Sequence, residues 1–83
     1  MEFPTAPYSA RAQGGVWKVF YEEPSGTLEL DFELGIDKPI LWVPSEAEWQ
    51  TKMPDWAQGR RDEIVDRAVR AAFGSEGAHL ASF

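Results

Sequence analysis

The sequence predicts an α+β fold: a three-stranded antiparallel β-meander, a short linking helix, and a longer C-terminal helix packed on one face. Three observations carry it. From Thr27 to Leu34 apolar and acidic residues alternate without a break. A strand's side-chain period of two sends Leu28, Leu30, Phe32 and Leu34 to one face and Glu29, Asp31 and Glu33 to the other. Further on, Ile64, Val65, Ala68, Val69, Ala72 and Phe73 recur at helical spacing, opposite Glu63, Asp66, Arg67 and Arg70. Between these two stretches lie Pro44 and Pro54, each of which stops a regular element.

The 83 residues suit one domain. It is expected over residues 16–74, with an extended arm over 1–15 and a flexible tail over 75–83. A domain of this size buries only roughly 60% of its unfolded surface. The chain has no cysteine, so neither a disulfide nor a thiolate metal site can supplement the core. Four Trp, five Phe and two Tyr must do so, each ring removing a large apolar area from water.

The arm holds Pro4, Pro7, Gly14 and Gly15 and no periodic pattern; Phe3 and Tyr8 are its means of attachment. Residues 16–23, with Val16, Trp17, Val19, Phe20 and Tyr21, form the first strand. Glu23-Pro24-Ser25-Gly26 fits a type I turn followed by a bulged glycine, a three-residue hairpin loop. That loop sets Glu23 opposite Thr27. It follows that Phe20 faces Leu30, Lys18 faces Phe32 and Val16 faces Leu34. On the other side Trp17, Val19 and Tyr21 stand beside the three carboxylates. After the turn at 35–39, Ile40-Leu41-Trp42-Val43 makes the third strand. Ser45 and Glu48 form a capping box, with Pro44 and Trp49 as a hydrophobic staple around it. Asp55, with Gln58 in the reciprocal position, opens the long helix, although Gly59 allows a later start. Gly74 ends it.

The net charge is −6. Ten of the fourteen acids lie in residues 1–56 against four bases, whereas residues 57–83 are balanced, four against four. This distribution disfavours nucleic acid, whose binding needs Lys and Arg on phosphates, and also disfavours anionic membranes. It admits a basic protein partner, or serves solubility alone. No stretch reaches the ~20 apolar residues of a membrane span, and the opening Met1-Glu2-Phe3-Pro4 lacks a basic n-region, so a cytoplasmic location is expected.

Little chemistry stands out. The single histidine, His79, lies in the expected tail, a poor place for a general base. One histidine and no cysteine make no zinc site, and no phosphate-binding glycine loop or other cofactor motif is present, so no cofactor is expected. Glu29, Asp31 and Glu33, spaced ~6.5–7 Å along one face, are the most distinctive polar group. With Trp17 and Tyr21 they form an acidic and aromatic patch suited to a basic protein. A sugar, or a carboxylate-dependent reaction, is the competing use, and a solvated outer face is the plain one. Arg61 falls in the apolar arc of the long helix and is expected to pack its stem there, to pair with a sheet carboxylate, or to stack on Trp42, Trp49 or Trp56. These three tryptophans, seven apart in different elements, are expected to be structural.

Over residues 49–64, from Trp49 through Pro54-Asp55-Trp56 to Arg60-Arg61-Asp62-Glu63-Ile64, the chain resembles small uncharacterised bacterial sheet-plus-helix proteins, some of them similar to toxin-immunity proteins. The similarity covers roughly residues 16–73 and carries no catalytic motif. It implies a bacterial protein that acts by contact. The expected function is therefore a non-catalytic protein-binding module, with self-association through the same face as a further possibility.

Overall fold

The computed structural model describes residues 7–82. It is α+β, with the long helix C-terminal to the meander. The sheet has five strands where three were expected: β1 (Ser9–Gln13), β2 (Lys18–Glu23), β3 (Gly26–Glu33), β4 (Ile40–Val43) and β5 (His79–Ser82), side by side in that order. The first four form an antiparallel meander; β5 returns parallel to β4 after the two helices, α1 (Glu46–Lys52) and α2 (Arg61–Phe73). The extra strands come from the segments expected as arm and tail. Neither shows alternation in sequence. Each pairs because a neighbour offers an unfilled row of backbone donors and acceptors, β2 to Ser9–Gln13 and β4 to His79–Ser82. Phe3 and Phe83 lie outside the described residues.

The hairpin register differs from the expected one by a single residue. Glu23 pairs with Gly26, Tyr21 with Leu28, Val19 with Leu30 and Lys18 with Asp31, closing a two-residue loop of Pro24 and Ser25. Two-residue loops favour turns with positive φ, which proline cannot adopt, so the sequence points to the longer loop. Gly26 permits the shorter one. Its φ is 155°, and a Cβ there would sit 2.7 Å from Trp56 Nε1, so the indole closes over bare backbone. A one-residue shift sends every β2 side chain to the opposite face. Val19 and Tyr21 therefore lie inside, fully buried, and Lys18, Phe20 and Glu22 lie outside.

On β3 the expected alternation holds: Leu28, Leu30 and Phe32 are buried, and Glu29, Asp31 and Glu33 are exposed. The inner layer of Val19, Tyr21, the three β3 residues, Leu41 and Val43 meets Trp49, Ala57, Ile64, Val65 and Ala68 from the helical side. Trp49 is 1% exposed, and its indole N–H donates to the Ala57 carbonyl at 2.9 Å. Leu34, at the end of the alternation, is 72% exposed.

Ser45 caps α1 as expected, its Oγ accepting from the Glu48 N–H at 3.3 Å. Gln58 acts at the other end. Its Nε2 donates to the carbonyls of Trp49, Gln50 and Met53 at 3.0–3.2 Å, so it closes the C-terminus of α1 and does not help open α2. Asp55 begins a separate 3₁₀ turn, Asp55–Ala57, and α2 starts only at Arg61. Gly74 takes φ 65° where α2 ends, and its N–H returns to Arg70 O.

Candidate functional site

Both helices cover the inner face, and among the described residues neither helix lies across the outer face of the sheet. The register arranges its side chains in rows across the strands. Arg11, Phe20 and Glu29 make one row; Gln13, Lys18, Asp31, Trp42 and Ala81 make the next; Glu33, Ile40 and His79 make a third. Arg11 lies over the Phe20 ring at 5.2 Å, and the Lys18 ammonium pairs with Asp31. That carboxylate raises the Lys18 pKa above its ordinary value of 10.5.

A trough of about 600 Å³ crosses this face. Phe20, Glu29, Asp31 and Trp42 line its floor, and Pro44, Lys52, Met53 and Pro54 form its far wall. The wall exists because β4 is short. Only Asp31, Phe32 and Glu33 of β3 have partners on β4, and beyond Val43 the chain turns through Pro44 into α1. Opposite the first half of β3 there is thus a gap where a strand would continue.

The expected patch assembles only in part. Glu29, Asp31 and Glu33 share the outer face and are exposed. Tyr21 is not with them. It lies fully buried in the core, the direct result of the register. Trp17 also lies on the inner side, at the end of the sheet, 44% exposed and edge-on to Phe32 with centroids 5.4 Å apart. The aromatic side chains that do accompany the acids are Phe20 and Trp42. The sequence pattern puts Phe20 inward and Trp42 in packing, because each apolar strand residue can equally serve either face. Of the other tryptophans, Trp49 is in the core and Trp56 is half-buried against Gly26. Arg61 packs near α1, its Nε donating to Pro44 O at 2.7 Å and its Nη1 to Asp62 at 3.1 Å. Its neighbour Arg60 is the one placed over Trp56, at 5.8 Å.

A second polar group joins residues too far apart in sequence for any local pattern to show it. The Glu23 carboxylate is 3% exposed and accepts from Arg60 Nη2 at 2.8 Å, Arg60 Nη1 at 3.1 Å and the Tyr21 hydroxyl at 2.8 Å. Arg60 also binds Glu63, which in turn meets Arg67 Nη2 at 3.1 Å. Arg67 lies 5.0 Å over the Tyr8 ring, and Tyr8 stacks on Tyr21. The Arg60 guanidinium holds both Glu23 and Glu63 below the ordinary carboxylate value of 4.5. Burial pushes the Tyr21 phenol above 10.0. This group joins the hairpin tip to the start of α2 and anchors Tyr8; its carboxylates are occupied by cations of the same chain.

His79 Nε2 is 2.9 Å from Asp37 Oδ1, both exposed, and the contact ties β5 to the turn before β4. Hydrogen bonding from His79 lowers the Asp37 pKa. Among the described residues no cluster of three or more His, Cys, Asp or Glu could hold a metal ion, and no helix is long and apolar enough to cross a membrane. Three carboxylates line the trough, Glu22, Glu29 and Asp31, but all are exposed and Asp31 is already paired with Lys18. Compared with known proteins, the chain matches no family model, no curated protein and no solved structure.

Proposed function

We propose that this protein is a non-catalytic binding module that receives a basic protein on the outer face of its sheet. The observation that carries the proposal is the asymmetry of the two faces. One is sealed by both helices. The other keeps Phe20 and Trp42 beside a trough, among Glu22, Glu29, Asp31 and Glu33, with Arg11 and Lys18 as the strand cations. Aromatic side chains supply contact area at low entropic cost, and an acidic surround steers a cationic partner and fixes its orientation.

The test starts from a displayed library of protein fragments selected on the immobilised domain. The selected binders should be basic. Their affinity should fall at least about tenfold between low and physiological salt, as expected when exposed charges dominate the encounter. The double variant Glu29→Lys with Asp31→Lys, checked for folding by circular dichroism, should lose them. Binders that hold the double variant as tightly as the parent protein remove the outer face from the account.

A further inference from the structure

The gap beside β3 has a hydrogen-bonding character that the bare face alone does not. Phe32 N–H bonds to Trp17 O at 3.1 Å, so Phe32 turns its backbone groups toward β2. In an antiparallel ladder that direction alternates along the strand. Gly26, Leu28 and Leu30 therefore also face β2, while Thr27, Glu29, Asp31 and Glu33 face the other way. Asp31 and Glu33 meet β4 opposite Trp42 and Ile40. Thr27 and Glu29 have no strand opposite them among the described residues. The alternation aims their N–H and C=O groups to the side of the trough, which Thr27 and Glu29 line together with Met53 and Pro54.

We infer that the trough is a strand-addition site: an extended segment of the partner lies along β3, in the line that β4 abandons at Val43, and bonds to the backbone of Thr27 and Glu29. This inference rests on the proposed binding of a basic protein and specifies the shape and pattern of the segment that docks. An added strand supplies the donors and acceptors that the edge lacks, and its alternate side chains enter different surroundings. On the inner side they meet Leu28, Leu30 and Met53, all trough-lining and apolar. On the outer side they meet Glu29, which makes no salt bridge among the described residues, and Trp42. The matching segment therefore alternates apolar and basic residues. The gap is short. Pro44 bounds it at one end, and at the other the Trp56 ring closes over Gly26. About four residues at roughly 3.3 Å each span Thr27 to Leu30.

The experiment uses a capped seven-residue peptide of alternating lysine and valine, the same peptide methylated on every backbone amide, and a glutamate–valine counterpart, each added to the full chain. The readouts are amide chemical shifts and hydrogen exchange. The lysine–valine peptide should slow exchange at Thr27 and Glu29, and methylation should weaken it at least about tenfold, the equivalent of one or two lost hydrogen bonds. Equal binding by the methylated peptide overturns strand addition and leaves the basic-partner reading standing. Equal protection by the glutamate–valine peptide overturns the basic character of the segment. Binding of the lysine–valine peptide that shifts only Phe20 and Trp42 places the contact on the face and overturns use of the edge. No protection by the lysine–valine peptide at millimolar concentration overturns the inference outright, while the library selection on the face remains an independent test of the reading beneath it.

Discussion

Arg60 grips Glu23 with both terminal nitrogens, Nη2 to Oε1 at 2.8 Å and Nη1 to Oε2 at 3.1 Å, and so fastens the tip of the β2–β3 hairpin to the residue that precedes α2. The carboxylate is 3% exposed and the guanidinium side chain 25%. Sheet and long helix are thus held together by a charge pair as well as by the apolar layer beneath it.

Removing one half of this pair is expected to cost more than the pair itself is worth. Arg60→Ala leaves Glu23 buried with the Tyr21 and Ser25 hydroxyls as donors and Arg67 Nη1 3.9 Å away. The loss should be about 2–3 kcal/mol, at or below the lower bound for a broken buried pair because Arg60 keeps some contact with water. Urea unfolding measures it. A change within about 0.5 kcal/mol, the range of ordinary surface substitutions, would mean that the apolar layer alone fixes the hairpin tip.

The same pair gives the protein an acid limit. Glu23 and Glu63 have folded pKa values below their ordinary 4.5, chiefly through Arg60. For a lowered carboxyl pKa, the stabilisation is complete above the unfolded value and disappears as pH falls through the folded one. The urea midpoint should therefore be nearly flat from pH about 8 down to about 5 and then fall. In Glu23→Gln the fall should be shallower. An identical acid slope in that variant would assign the effect to other carboxyls, such as Asp37, whose pKa His79 lowers.

Trp49→Phe tests the junction between the two helices. The substitution keeps an aromatic ring but strands the Ala57 carbonyl, which accepts the indole N–H at 2.9 Å in a buried setting. A buried unsatisfied acceptor and the smaller ring together should cost about 2–4 kcal/mol. Calorimetry should show a lower melting temperature with a single transition retained. An unchanged melting temperature would show that water or another donor reaches Ala57 once the indole is gone.

How much of this was legible depends on the element. The β3 alternation needed no tertiary information, because acids on a buried face are too costly to leave its orientation open. The stripe on α2 and the Ser45 cap were equally readable. The β2 orientation was not. Val19, Phe20 and Tyr21 are all good strand residues, so the pattern is the same in either register, and the turn decides. The bare backbone at Gly26 accepts the Trp56 ring, a contact between residues thirty positions apart that no local rule contains. The candidate site inherits this result: the pattern locates the acids, but it puts Tyr21 on a face that Phe20 occupies.

The outer strands mark the same boundary. Ser-Ala-Arg-Ala-Gln and His-Leu-Ala-Ser carry no strand signal of their own, and they pair because β2 and β4 present open edges to them. What the sequence determined by itself is whatever is paid for locally: which β3 side chains flee water, where helices can begin and end, and how the charge is distributed. What only the tertiary structure decided is the hairpin register, the enlistment of β1 and β5, and the gap beside Thr27 and Glu29. Each of those depends on backbone groups finding partners far along the chain, and backbone groups are the same in every residue type save proline.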